Sequence, residues 1–196
     1  MFQVSIQPTV EPISLTEVKD WLKIHPDVAE DDNLLRSLIR SARLWAEKIT
    51  GQAIMEQTIV EAWDRFPDYG IFYLSVAPVI SVTALEYLDD NGTYQTWAAS
   101  NYTLDSISRP CRIVNKNRIQ QTGVVYNNQL PNVWRATYKA GNASVTTVDA
   151  NIKTAMLLQI AMMYENREDI PIGQGSANPY ARSAYALLNL CRTNYI

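Results

Sequence analysis

A single histidine and two widely spaced cysteines leave this 196-residue chain poor in the side chains that catalysis and metal binding most often recruit. A Ser/His/Asp or Cys/His mechanism would have to use His25. That residue stands between a helix end and Pro26, with no serine or cysteine in an elbow motif nearby, and reads as a surface or helix-terminal residue. Cys111 and Cys191 cannot form a CxxC metal site, and nothing demands a disulfide, which fits a reducing compartment. A glycine-rich phosphate loop is missing too. Gly173-Gln174-Gly175 follows a helical pattern rather than a strand and lacks a Walker lysine. Residues 155–164, the most apolar stretch, have about half the length of a membrane span and are interrupted by Gln159. Residues 1–5 show neither a basic nor an apolar signal region, so a soluble chain, cytoplasmic at synthesis and with no membrane partner, is expected. There is no basic excess: the net charge is −3 and the pI about 5.2, a poor balance for wrapping nucleic acid. No catalytic residue, metal site or cofactor is expected, and the chain reads as not an enzyme.

What is present is ordinary globular material, 47% apolar and 19% charged, enough for a sizeable core. Ser14-Leu15-Thr16-Glu17 is a capping box, with Ile13 and Val18 placed for a hydrophobic staple, and Pro26 stops this first helix near Ile24. A second helix runs from a cap at Asp31 or Asp32 to Gly51. Leu34, Leu35, Leu38, Ile39, Ala42, Trp45, Ala46 and Ile49 form its apolar stripe. Arg36, Arg40, Arg43 and Glu47 follow another stripe, read either as a solvated face or as one meeting DNA or an acidic partner.

From about residue 57 to 138 the pattern turns to short β-prone runs: 58–63, 71–74, 79–88, 102–105, 111–114, 124–126 and 133–138. Asn91-Gly92 signals a hairpin with a type I′ turn and a return strand over 93–97. Twelve of the 19 aromatic residues fall in this block, which makes their role the main question about it. They read as sheet core, with a glycan-binding platform as the alternative. Carboxylates are plentiful enough for a glycosidase-like pair. Asp89-Asp90 is better explained by a turn, Glu30-Asp31-Asp32 by a helix start, and Glu165 with Glu168-Asp169 by a helix end. Arg109, Arg112, Lys116 and Arg118 make a run without an acid, read as edge protection or as a basic loop facing nucleic acid. Asp149 caps a third helix, apolar on nearly every side and therefore expected to be buried on nearly every side. A loop over 167–178 leads to Asn178-Pro179, an N-cap and first-turn proline, and a last helix carrying Ala181, Ala184, Tyr185, Leu188 and Cys191. The expected fold is α+β: a bundle of about four helices interrupted by a mainly antiparallel β insertion, a small barrel or sandwich. Its parts are 1–56, the N-terminal helical part; 57–140, the β insertion; and 141–196, completing the bundle.

Taken in order, several segments resemble the head–tail connector (adaptor) family of long-tailed phages, in its larger form with an inserted β domain. Residues 11–24 are similar to its opening helix, and residues 31–35 through 46–51 to its second helix. Residues 77–82 and 102–105 resemble the β insertion, and 138–141 the exit strand. Residues 152–153 with 164–168 resemble the third helix and its end, and 186–188 with Arg192 the close of the last. Asn189-Leu190-Cys191-Arg192 departs from the commoner proline-and-tyrosine ending. The resemblance implies a structural virion protein of the neck, one of about a dozen copies in a ring closed by heterologous contacts beneath the portal. It would extend the DNA channel, pass DNA without reading its sequence, and present a platform to the next neck or tail protein. A different neck or tail-completion protein is the nearer alternative, and a carbohydrate-binding module or glycan hydrolase the more distant one. Docking of the C-terminal helix and tail on the portal is implied, which places Tyr185, Leu187, Leu188, Arg192 and Tyr195 at that contact. Arg36, Arg40 and Arg43 are expected to line a subunit interface or the channel.

Overall fold

The computed structural model describes residues 1–116, 130–166 and 179–192. The chain forms two compact units. Met1–Pro8 and Glu56–Asn142 make a β unit; Thr9–Met55 and the described residues from Ala143 on make a helical unit. The first eight residues thus belong with the β unit, where the sequence reading had placed them with the helices.

The helical unit contains α1 (Leu15–Leu22), α2 (Asp32–Thr50), α3 (Ala150–Glu165) and α4 (Pro179–Leu190). The capping box at its start is complete. Ser14 Oγ accepts from the Glu17 amide at 3.1 Å, and Glu17 Oε2 accepts from the Ser14 amide at 2.7 Å. The Ser14 amide holds the Glu17 carboxyl below its ordinary pKa. Ile13 and Val18, the staple pair, are both buried in the core of this unit. The α1 helix closes at Lys23, whose φ of 60° is left-handed, with the Ile24 amide reaching back to the Lys19 carbonyl at 2.9 Å. Gly51 closes α2 at φ 70°, the conformation that glycine adopts without steric cost. Asp31 precedes α2 without capping it. Its carboxylate instead accepts from the Tyr164 hydroxyl at 2.6 Å. Asp149 caps α3 through its carboxylate, which accepts from the Asn151 amide at 2.7 Å. The α3 helix packs against α1, α2 and α4, and no residue from Ala155 to Tyr164 is exposed. Its all-round apolarity is therefore the signature of a central helix.

The β unit holds a five-stranded sheet and a three-stranded sheet, with every strand pair antiparallel. The strands are β1 (Phe2–Ile6), β2 (Gln57–Trp63), β3 (Ile71–Tyr73), β4 (Val79–Leu88), β5 (Tyr94–Thr96), β6 (Tyr102–Asp105), β7 (Arg112–Asn115) and β8 (Trp134–Ala140). The large sheet runs β1-β2-β8-β4-β5 and the small one β3-β7-β6. Strand β8 alternates, burying Trp134, Ala136, Tyr138 and Ala140. An expected strand over 124–126 lies outside the described residues.

Aromatic rings join the two sheets. Phe72 of the small sheet meets Trp63 and Trp134 of the large one with centroids 5.1 and 5.3 Å apart, and Phe66 and Trp97 complete the cluster. Among the described residues, the acidic side chain of Glu61 is buried in this unit. The Glu61 carboxylate accepts from the Tyr138 hydroxyl at 2.9 Å, the Ser75 amide at 3.0 Å and the Ser75 hydroxyl. Buried charge is tolerable only when its oxygens are satisfied in this way.

The β4–β5 hairpin forms as expected, but its turn differs. Only Gly92 has positive φ, at 76°. The Gly92 amide donates to the Asp89 carbonyl at 2.9 Å and the Asp89 amide to the Thr93 carbonyl at 2.9 Å. This is a three-residue loop, a type I turn closed by a left-handed glycine, rather than a type I′ pair. The Asp89 carboxylate decides it by accepting from the Asn91 and Thr93 amides, both at 2.9 Å. Those bonds, the Thr93 amide foremost, lower its pKa.

Candidate functional site

The arginine stripe of α2 is divided by the fold. Arg36 and Arg40 are exposed, whereas Arg43 is 1% exposed. Arg43 Nε donates to Glu11 Oε2 at 2.8 Å and its Nη1 to Glu47 Oε2 at 3.1 Å. Glu47 Oε1 also accepts from the Ile54 amide at 3.1 Å, tying the end of α2 to the segment that follows. Arg43 is thus an interior cation between two carboxylates and does not line a free surface of the unit. Burial raises the Glu47 carboxyl above its ordinary pKa, with Arg43 and the Ile54 amide opposing.

The expected portal-docking residues also separate. Tyr185 and Arg192 are exposed, Leu187 is half-buried against the helical core, and Leu188 is completely buried within it. Leu188 therefore belongs to the core. Tyr195 lies outside the described residues. Leu190, which the sequence marks only as part of a divergent ending and not as a contact residue, is 76% exposed at the end of α4. Its last-turn position was the available signal. Burial raises the nearby Cys191 thiol pKa, and its carbonyl accepts from the Gln52 side chain.

In the basic run, Arg112 pairs with Asp105 at 3.0 Å and Lys116 donates to the Ser100 carbonyl at 2.9 Å. Arg118 lies outside the described residues. Arg109 is exposed, and its guanidinium is engaged by the carbonyls of Ser106, Ile107 and Ser108 at 2.8 to 3.3 Å. Asp105 anchors the same loop, accepting from the Ser108 amide at 3.0 Å and the Ser108 hydroxyl at 2.7 Å. The Ser108 amide and hydroxyl, with Arg112 and Ile107, bring its carboxyl pKa down to about 2. A depressed acid stabilises above its unfolded pKa and loses that contribution as pH falls through the folded one. The Ile107 and Ser108 amides should therefore be protected from hydrogen exchange at pH 5 and lose protection between about pH 4 and pH 2. Protection that is flat across that range would show that Asp105 does not hold the loop.

The clustered aromatic rings of the β unit serve its core, while Tyr69 and Tyr73 are 84% and 50% exposed. Phe72 and Trp134 are fully buried and Trp97 is 3% exposed. Among the described residues, no group of three or more His, Cys, Asp or Glu side chains is placed to hold a metal ion. None of the described helices is long and apolar enough to cross a membrane.

Three comparisons place this arrangement. Residues 12–80 match the family described as phage gp6-like head–tail connector protein. Among solved structures, a chain from the neck of an empty gene transfer agent particle, computed with C6 symmetry, superposes with a TM-score of 0.77 at 24% identity. The match covers 100% of this chain and 97% of that one. A chain from the virion of a native gene transfer agent particle gives 0.72 at 22% identity, covering 100% and 97%. One from the neck of a native particle, computed with C12 symmetry, gives 0.67 at 24% identity, covering 99% and 97%. A search of curated proteins gives no match. Residues 12–80 thus carry the sequence signature of the phage gp6-like head–tail connector family, and the chain as a whole has the fold of these gene transfer agent particle chains.

Proposed function

We propose that the chain is a structural head–tail connector of a phage-like particle and not an enzyme. It works as one of about a dozen copies in a ring beneath the portal. The ring extends the DNA channel, passes DNA without reading it, and presents a platform to the next neck or tail protein. It is found in the virion neck, after assembly in the host cytoplasm. The observation that carries this reading is the near-complete, two-way fold match with neck chains from particles computed with C6 and C12 symmetry. The family match over residues 12–80 supports it independently.

Portal docking falls to the exposed face of the last helix and the residues just after it, where Tyr185, midway along α4, and Arg192, beyond its end, stand free of the core. An exposed tyrosine and an arginine are the side-chain types that most often dominate a contact. Tyr185→Ala combined with Arg192→Glu should weaken attachment of the purified chain to portal by at least about tenfold. Its melting temperature should stay that of the wild type. Leu188→Ala is the control for folding. Emptying a fully buried leucine should cost about 2–5 kcal/mol of stability. Unchanged attachment of the double variant would discard C-terminal docking. Arg36 and Arg40 remain available for an interface or the channel, and Arg109 for a surface contact.

A further inference from the structure

The helical unit carries two exposed surfaces of opposite charge, each with apolar side chains in its midst. The first is a ridge on α2. Arg36, Arg40, Leu44 and Lys48 recur every fourth residue and are all exposed, Leu44 to 45%. Such a row spans about 18 Å and is the kind that inserts into a groove of a facing surface. Every exposed charged residue of α2 is basic. Among the described residues none of these three cations is in an ion pair; Arg36 touches only the Asn33 side chain, at 3.3 Å. This is a concentrated positive stripe on a chain of net charge −3.

The second surface is the end of α1 and the turn after it. Asp20, Asp27 and Glu30 are exposed there, beside the exposed Lys23 and the exposed His25, whose ring lies 3.5 Å from the Asp27 carboxylate. Trp21 and Val28, 45% and 43% exposed, lie among them. This turn is fixed from beneath. Lys19, only 6% exposed, donates to the Pro26 carbonyl at 3.1 Å and the Val28 carbonyl at 2.8 Å, and pairs with Asp32 at 2.6 Å. A buried ammonium spent on two loop carbonyls holds Val28 and Glu30 in one presentation. Binding then loses little chain entropy on ordering the turn.

We infer that the two surfaces are the halves of one heterologous contact, in which the α2 ridge of one copy seats on the acidic surface of the next. Leu44 meets Trp21 and Val28, and the cations face Asp20, Asp27 and Glu30. The inference rests on the connector reading, because a cyclic ring requires two different, complementary patches on each subunit. Both patches lie within Thr9–Met55, in one compact unit, so their spacing is built in. A DNA phosphate backbone would suit the cations alone. Leu44 in the middle of the ridge, matched by the apolar residues opposite, favours a protein surface.

The test is a charge swap read as ring yield on portal, by mass. Arg40→Glu and Asp27→Arg each change an exposed side chain, and an unchanged thermal melt will confirm the fold. Each alone should cut the yield of rings at least about tenfold, and the two together should restore it. Wild-type ring yield should fall with added salt. Single variants that assemble as the wild type, or a double variant no better than the singles, would overturn the inference while leaving the connector reading standing. So would Arg40→Glu rings that form normally but lose DNA from particles, which would assign the ridge to the channel. A wild-type chain that forms no ring on portal removes the connector reading, and this contact with it.

Discussion

Arg43→Ala should lower the stability of the helical unit by about 3–5 kcal/mol, the usual cost of removing one partner from a buried ion pair. The effect is large because the carboxylates stay behind. Glu47 is largely enclosed and already has a raised pKa with Arg43 present. Without the cation it is a buried charge held by the Ile54 amide. Glu11 is more open to water, so its share of the loss is smaller. The pH dependence separates charge from packing. An acid whose folded pKa is raised contributes stability below its unfolded pKa and loses it as pH rises through the folded one. In the variant that rise is steeper in consequence. The deficit relative to wild type should be full at high pH and shrink as pH falls toward the ordinary glutamate range, with Glu47 taking up its proton before an unperturbed carboxyl does. Arg43→Met retains the stem and should show the same pH trend. Urea unfolding followed at 222 nm across that pH range reads both. A deficit independent of pH would mean that Arg43 acts through volume alone.

Trp134→Ala should destabilise the β unit by about 3–5 kcal/mol. Trp134 is fully buried, and its ring centroid lies 4.6 Å from that of Trp97, 5.2 Å from Phe66 and 5.3 Å from Phe72. Removing it takes the common partner from rings contributed by both sheets. Its indole N–H has no acceptor among the described residues. A buried donor without a partner costs about 1–3 kcal/mol. Trp134→Phe removes that donor as well as some volume, so it should cost less than half as much as the alanine change. Equal losses for the two variants would show that the indole N–H is satisfied after all.

Much of the fold was legible because local signals and tertiary packing agree. The capping box, the α2 stripe closed by Gly51, the apolar α3 and the β4 run each specify an element without help from distant residues. Strand β1 was not legible. Phe2–Ile6 is exposed at four of its five positions, so it shows no alternation, and its partner is β2, with Gln3 opposite Val60. Only that distant edge makes it a strand. Arg43 failed for a related reason. On a helical projection Arg36, Arg40 and Arg43 fall within about 60° of one another, at the border between core and solvent. Which of them turns inward is decided by Glu11, 32 residues away in sequence, and by Glu47. The hairpin was legible in place and not in type, since the Asp89 side chain, rather than Asn91-Gly92 alone, sets its hydrogen bonds. The exposed rows of α1 and α2 were only half visible in the sequence, because exposure is a property of the packed unit.

Assembly on portal is read most plainly by mass. The purified chain should be measured alone and mixed with the portal of its own particle. The mixture should give a complex heavier than portal by about a dozen copies of a 22.2 kDa chain. A chain that remains monomeric and leaves the mass of portal unchanged would contradict it.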